Sequence, residues 1–212
     1  MLRPEPGASA TLARAKAAGI DAVAIPLFEV SAVTWDVPAA GDYDALLLTS
    51  ANAARHGGAG LAALGPLPTY CVGEATAVAA RAAGLSVAGV GTGDAASLVA
   101  ELPNALKLLH LTGVDHRPIA GVRQLAVYAS RVIDPPPSLD ALQGGVAMVH
   151  SQRAGERLAA LVSQRSSIAI AAISQATADA CGDGWRVVRA IDSPSDGALL
   201  ALASDLCQDR RQ

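Results

Sequence analysis

Small hydroxyl residues stand where apolar runs give way to helical stretches, at Thr49-Ser50, at Gly73 to Thr76, and again at Ser151 and at Ser174 to Thr177. A serine or threonine at such a turn caps the following helix, because its oxygen accepts from the free N–H groups of the first turn. Capping alone accounts for any one of them. Several such helix starts at the carboxyl ends of parallel strands would also gather backbone donors and partial positive charge around one crevice. A ligand with several carboxylates suits that crevice, and an acidic protein could then bind an acidic ligand without a basic patch. Tyr128, one of three tyrosines, ends the run LAVYAS. Its ordinary place is an interface with the hydroxyl in water, and its chemical use would be to give a proton to a departing hydroxyl group. Arg3 and Arg117, each followed by proline, serve either as surface residues or as carboxylate clamps.

Other chemistries lack their residues. Gly89, Gly91 and Gly93 miss the spacing of a dinucleotide loop, and no phosphate-binding GxxxxGK[ST] is present. Ser50 and Ser151 lie in neither GxSxG nor SxxK, and the acidic residues are dispersed. Cys71, Cys181 and Cys207 form no CxxC pair, and His56, His110, His116 and His150 form no HxxxH pair, so no metal or disulfide is expected. A net charge of −3 argues against a nucleic-acid surface. The longest wholly apolar runs, such as Ile168 to Ile173, are too short for a bilayer span, and no leader precedes Pro4. The chain is therefore expected to be cytoplasmic, with no membrane partner, and a monomer.

These residues need a frame. Asp44–Thr49, Thr69–Val72, Leu106–Leu111, Leu125–Ala129, Val146–His150, Ile168–Ile173 and Val187–Ile191 read as strands buried on both faces, which suits a parallel sheet. Helical stretches at Ala8–Ala18, Asn52–Leu64, Ala75–Ala83 and Gln152–Val162 alternate with them. The pattern repeats at a constant offset of 101 residues, taking Ser50 to Ser151, Gly73 to Ser174 and Thr76 to Thr177. A second unit recurs as well: Leu2–Phe28 resembles Leu106–Tyr128, each reading as strand, Arg-Pro, helix and strand. The chain thus reads X, Y, X′, Y′, with extended stretches at Glu29–Pro38 and Ser130–Pro137 after the X units. Either pairing of X with Y completes a small sheet.

The order RPEPGA, PLFEV, DALLLTSANAA, VGEATAVAARAAG, LLHLTGVDHRP, VYAS, AAISQATADA and SPSDGALLALA resembles the uroporphyrinogen-III synthase family over nearly the whole chain. The resemblance implies two small parallel-sheet (flavodoxin-like) α/β domains, built from an internal duplication and joined by a two-stranded linker. The first would hold 1–30 plus 136–212, the second 38–126, with linkers at about 29–38 and 127–137. It implies conversion of hydroxymethylbilane to uroporphyrinogen III, with loss of water and inversion of the last pyrrole ring through a spiro intermediate, and no cofactor. Tyr128 is the implied catalytic residue. The implied substrate-binding residues are Arg3, Ser50, Ala51, Asn52, Gly73, Thr76, Gly113, Arg117, Ser151, Ser174 and Thr177, for a linear tetrapyrrole polycarboxylate. Only Met1 and Leu2 precede Arg3, so the first strand is expected to be short. A non-catalytic relative that binds a tetrapyrrole or another anionic ligand to regulate something else stays open, as does an unrelated two-domain binding protein or transferase.

Overall fold

Runs of four to six apolar residues with no polar interruption can be strands only where both faces of a sheet are covered. The computed structural model, which describes residues 1–103 and 105–209, satisfies that condition with helices on the sheets. Residues 210–212, the end of the stretch assigned above to the first domain, lie outside the described residues. The elements in chain order are α1 (Gly7–Ala17), β1 (Phe28–Ala32), β2 (Ala45–Leu48), α2 (Ala51–His56), α3 (Gly60–Leu64), β3 (Pro68–Val72), α4 (Glu74–Ala82), β4 (Ser86–Gly91) and α5 (Ala95–Glu101). They continue with β5 (Leu108–Gly113), β6 (Arg123–Val132), β7 (Val146–Val149), α6 (Gln152–Leu161), β8 (Ala169–Ala172), α7 (Gln175–Cys181), β9 (Val187–Ala190) and α8 (Asp196–Gln208). The chain divides into two units, Met1–Glu29 with Val132–Gln212 and Val30–Arg131. Both crossings fall within strands, β1 and β6, which are neighbours in the sheet order.

In the discontinuous unit, β7, β8 and β9 pair in parallel. Residues 1–2 extend this sheet beside β7, because Leu2 N–H donates to the Met148 carbonyl. Residues 23–27 continue it, with Ile25 N–H donating to the Met1 carbonyl and Leu27 N–H to the Leu2 carbonyl. Alternate residues of a strand face opposite ways, and this sheet uses both sides. Ala147, Val149, Ile168, Ile170 and Ala172 pack with Leu158 of α6 and with Ala178 and Cys181 of α7. Met148, Ala169 and Ala171 pack with Ala15 of α1 and with Leu199, Leu200, Ala203 and Leu206 of α8. Each fully buried leucine or isoleucine contributes roughly 1.5–3 kcal/mol of hydrophobic stabilisation.

In the continuous unit five parallel strands run in the order β6-β5-β2-β3-β4. Leu46, Leu48, Cys71, Leu109, Leu111 and Val127 pack under residues of α2, α3 and α4. Read by position in the repeat, both units share one spatial order: the second X segment, the first X segment, then the three Y strands.

Several expectations are corrected. The helix expected over Asn52–Leu64 is two helices, because Gly58 adopts φ +64, a conformation that side chains rarely take, and so breaks the run. No helix connects β5 to β6. Residues 114–122 form a loop, where α1 stands in the other unit. β3 and β9 are not buried on both faces, since both contain partly exposed positions; β3 has a single further parallel neighbour beyond it, β4. β4 itself, with glycines at 89 and 91, forms without the continuous apolar run expected of a strand.

Candidate functional site

Parallel strands point their carboxyl ends to the same edge of a sheet, so the residues just after each strand cluster there. At that edge of the continuous unit stand Thr49-Ser50 after β2, Gly73 after β3, Gly113 at the end of β5, and Tyr128 in β6 paired with Gly113. Ser50 caps α2, its hydroxyl accepting from Asn52 N–H at 3.2 Å. Ala51 and Asn52 open that helix, and the Asn52 side chain accepts weakly from Arg55 at 3.5 Å. Gly73 takes φ +77 between β3 and α4 and offers no capping side chain. Its own N–H donates to the Gly91 carbonyl at 2.9 Å, so it is not a free donor. Thr76 lies inside α4 at 5% exposure, facing the core rather than the edge.

Gly113 is what lets Tyr128 lie close. A Cβ at that position would stand 2.8 Å from the phenol ring carbons and 3.1 Å from the hydroxyl oxygen, so any side chain would displace the ring. Tyr128 is partly buried and its ring centroid lies 6.4 Å from that of His56 at the end of α2. Arg117 does not join this group. It lies in the exposed loop after β5, and its carbonyl is held by Gln124 Nε2 at 3.0 Å. Arg3 and Arg117 are therefore not equivalent, since Arg3 directly follows the strand-like residues 1–2.

At the corresponding edge of the discontinuous unit, Ser151 caps α6 through Ala154 N–H and Ser174 caps α7 through Thr177 N–H, each at 3.3 Å. Thr177 is 2% exposed and its hydroxyl bonds Ser174 at 3.0 Å, which makes it part of the cap rather than an outward donor. Arg3 is drawn into a charged cluster around Asp196, the first residue of α8. Asp196 accepts from Arg3 at 2.9 Å, Thr11 at 2.7 Å, Arg14 at 2.8 Å and His150 at 3.0 Å. Burial pushes the Asp196 carboxyl up, but hydrogen bonds from Thr11, His150 and Arg14, together with the Arg14 charge, outweigh it and hold the group at about 2. Burial, together with the Arg3 and N-terminal charges, lowers His150 against the opposing pull of Asp196. His150 Nδ1 is buried with no partner among the described residues.

Two polar groupings escaped the reading of the sequence. One is the Asp196 cluster, for which the SPSDG stretch was the available signal. The other is a chain through the continuous unit: Thr49 Oγ1 lies 3.0 Å from His110 Nε2, and His110 Nδ1 lies 3.0 Å from Gln124 Nε2. The repeat offset held a hint, since 101 residues carry Thr49 onto His150. Among the described residues no group of histidine, cysteine and acidic side chains is arranged to hold a metal ion, and no helix is long and apolar enough to cross a membrane.

The edges thus offer hydroxyls, capped helix starts and one phenol, a set fitted to binding and orienting an anionic molecule more than to strong acid-base chemistry. The structure is similar to the uroporphyrinogen-III synthetase of Helicobacter pylori 26695, with TM-score 0.68 and 18% identity over 86% of this chain and 92% of that one. It is also similar to a mutant uroporphyrinogen III synthase of the extremely thermophilic bacterium Thermus thermophilus, with TM-score 0.52 and 18% identity over 99% and 100% of the two chains. At these identities the likeness shows a shared fold. No protein of curated function matches the sequence. The family model for uroporphyrinogen-III synthase HemD matches residues 9–201, and over that span, most of its length, this chain belongs to the uroporphyrinogen-III synthase family.

Proposed function

We propose that the chain converts hydroxymethylbilane to uroporphyrinogen III as a cyclising hydro-lyase, and the observation that carries this reading is the family match over residues 9–201. The chemistry asks little of side chains. The hydroxymethyl C–O bond breaks with help from the adjacent pyrrole, water leaves, and the resulting cation is attacked by a carbon of the last ring. Attack at one carbon closes the ring directly. Attack at the other gives the spiro intermediate that leads to inversion. The enzyme's task is to hold a flexible chain so that the second attack prevails, and good orientation supplies roughly 7–11 kcal/mol of a barrier.

In this reading the carboxylate arms are bound by donors at the strand ends: Ser50, Ala51, Asn52 and Gly113 in one unit, and Arg3, Ser151 and Ser174 in the other. Tyr128 gives its phenolic proton to the departing hydroxyl. Support for Tyr128 is its place against Gly113 at the carboxyl edge, where a ligand-facing phenol is tolerated only because position 113 carries no side chain. Gly73, Thr76, Arg117 and Thr177 take lesser parts, for the hydrogen bonds and burial given above. The two units are read as two domains, 1–30 plus 136–212 and 38–126, derived from one ancestral unit. Their common strand order and the constant sequence offset support this. The reading further takes the chain to be a cytoplasmic monomer that needs no cofactor. The test is to supply hydroxymethylbilane and separate the product isomers. Isomer III above the no-enzyme control supports the reading, and isomer I alone refutes it.

A further inference from the structure

The polarity of the Thr49 hydroxyl can be worked out from its neighbours. Gln124 Oε1 accepts from the Ile119 backbone N–H at 3.0 Å, and Gln124 Nε2 donates to the Arg117 carbonyl at 3.0 Å. A backbone N–H can only donate and a carbonyl can only accept, so these two bonds fix which end of the amide is oxygen. The remaining hydrogen on Gln124 Nε2 points to His110 Nδ1 at 3.0 Å, which must therefore accept. An imidazole that accepts at Nδ1 carries its proton on Nε2. That N–H lies 3.0 Å from Thr49 Oγ1 and donates to it. His110 is 3% exposed, and burial, with the nearby His116, lowers it to about 4, in keeping with a neutral ring.

One lone pair of Thr49 is thereby occupied from inside. Its hydroxyl proton has no acceptor among the described residues, and Thr49 is partly exposed at the carboxyl end of β2. A hydroxyl can normally turn to donate or accept, but this one is committed to donate outward. We propose that Thr49 is a carboxylate-binding residue of this site, and that His110 and Gln124 are positioning residues that set its hydroxyl as a one-way donor. This deepens the synthase reading and rests on it for the identity of the ligand. A hydroxyl committed to donate selects an acceptor such as a carboxylate oxygen over a donor group, because a donor facing it would leave two protons in conflict.

The test has an arm that needs no turnover. In ¹⁵N NMR of the histidine side chains, His110 is expected as the neutral Nε2–H form. The Nδ1–H form would overturn the proposal, since Thr49 would then donate inward. Thr49→Val removes the hydroxyl at nearly constant shape. It is expected to weaken binding of uroporphyrin III, the oxidised product followed by fluorescence, about tenfold, as fits one hydrogen bond to a charged group. In turnover it should raise KM about tenfold while kcat falls less than threefold, the pattern of binding that is equal in ground and transition states. Thr49→Ser should restore both constants to within threefold. His110→Gln, whose amide can still donate to Thr49, should stay within threefold of the parent, whereas His110→Met should lose about fivefold in affinity. Equal affinity of Thr49→Val and the parent would overturn the assignment. If the parent made isomer I alone, the synthase reading would fall, and the affinity ratio would still decide whether Thr49 binds carboxylates.

Discussion

In one unit the residue that precedes the capping serine is His150, tied to Asp196 beside Arg3, Thr11 and Arg14; in the other it is Thr49, tied to a neutral His110. The strand order is the same on both sides. What differs is the neighbour: the repeat offset places Ala95 where Asp196 stands, and the loop 114–122 where α1 would supply Arg14 and Thr11. With an acid present, the guanidinium of Arg3 is answered within the protein and the edge is stapled together. Without it, the edge keeps a hydroxyl whose proton is unspent. At the position before the capping serine, one unit thus spends its polar group on a contact within the protein, while the other keeps a hydroxyl proton free of any acceptor among the described residues.

Acid separates the two halves most. His110 is lowered from 6.5 to about 4, so above 6.5 both folded and unfolded chains carry it neutral and its contribution is complete. As pH falls from 6.5 to about 4, the unfolded chain takes up the proton first. Stability should drop by about 1.4 kcal/mol for each pH unit crossed, and by roughly 3 kcal/mol over the window. His150 is lowered too, so the comparison is made against His110→Gln, whose urea unfolding should show a shallower pH slope across that window. An identical slope would show that the ring is not held neutral by the fold. Asp196 acts elsewhere: its contribution is present above 3.8 and is lost as pH falls through about 2.

Asp196→Ala comes next. It strips the shared acceptor from Arg3, Thr11, Arg14 and His150, and should lower the unfolding free energy by about 2 kcal/mol, less than a fully buried pair because Arg14 is half exposed. Ala95→Asp, the matching change in the other unit, should move stability by less than about 0.5 kcal/mol, because the loop 114–122 stands in place of the helix that supplies Arg14 and Thr11 to Asp196. A large gain there would show that the two edges do not differ in this way. The caps fall between these two substitutions. Ser50→Ala and Ser151→Ala should each cost about 1 kcal/mol, read from thermal unfolding, and each should also raise KM, since both serines are read as donors to the carboxylate arms.

Much of the frame was legible because continuous apolar runs such as ALLL at 45–48 and AIAA at 169–172 have one physical solution, a strand covered on both faces. β4 was not, since SVAGVG alternates and holds two glycines, and its strand character comes from pairing with β3. The missing helix after β5 was hidden because Arg-Pro looks alike in both X units, while the loop's course depends on Gln124 reaching back to Ile119 and Arg117. Hydroxyl caps could be read from residue type and position at Ser50, Ser151 and Ser174. The Thr49–His110–Gln124 chain could not, for it arises from strand register: His110 sits beside Leu47 on one side and Gln124 on the other.

If held geometry, rather than a reactive side chain, decides which bond forms, the isomer ratio made by Tyr128→Phe will show it. With hydroxymethylbilane as substrate, turnover should slow by about tenfold and the product should still be almost wholly isomer III, because losing the proton donor delays departure of the hydroxyl without releasing the chain. A folded Tyr128→Phe protein that yields isomer I in place of III, or no cyclised product above the uncatalysed rate, would contradict it.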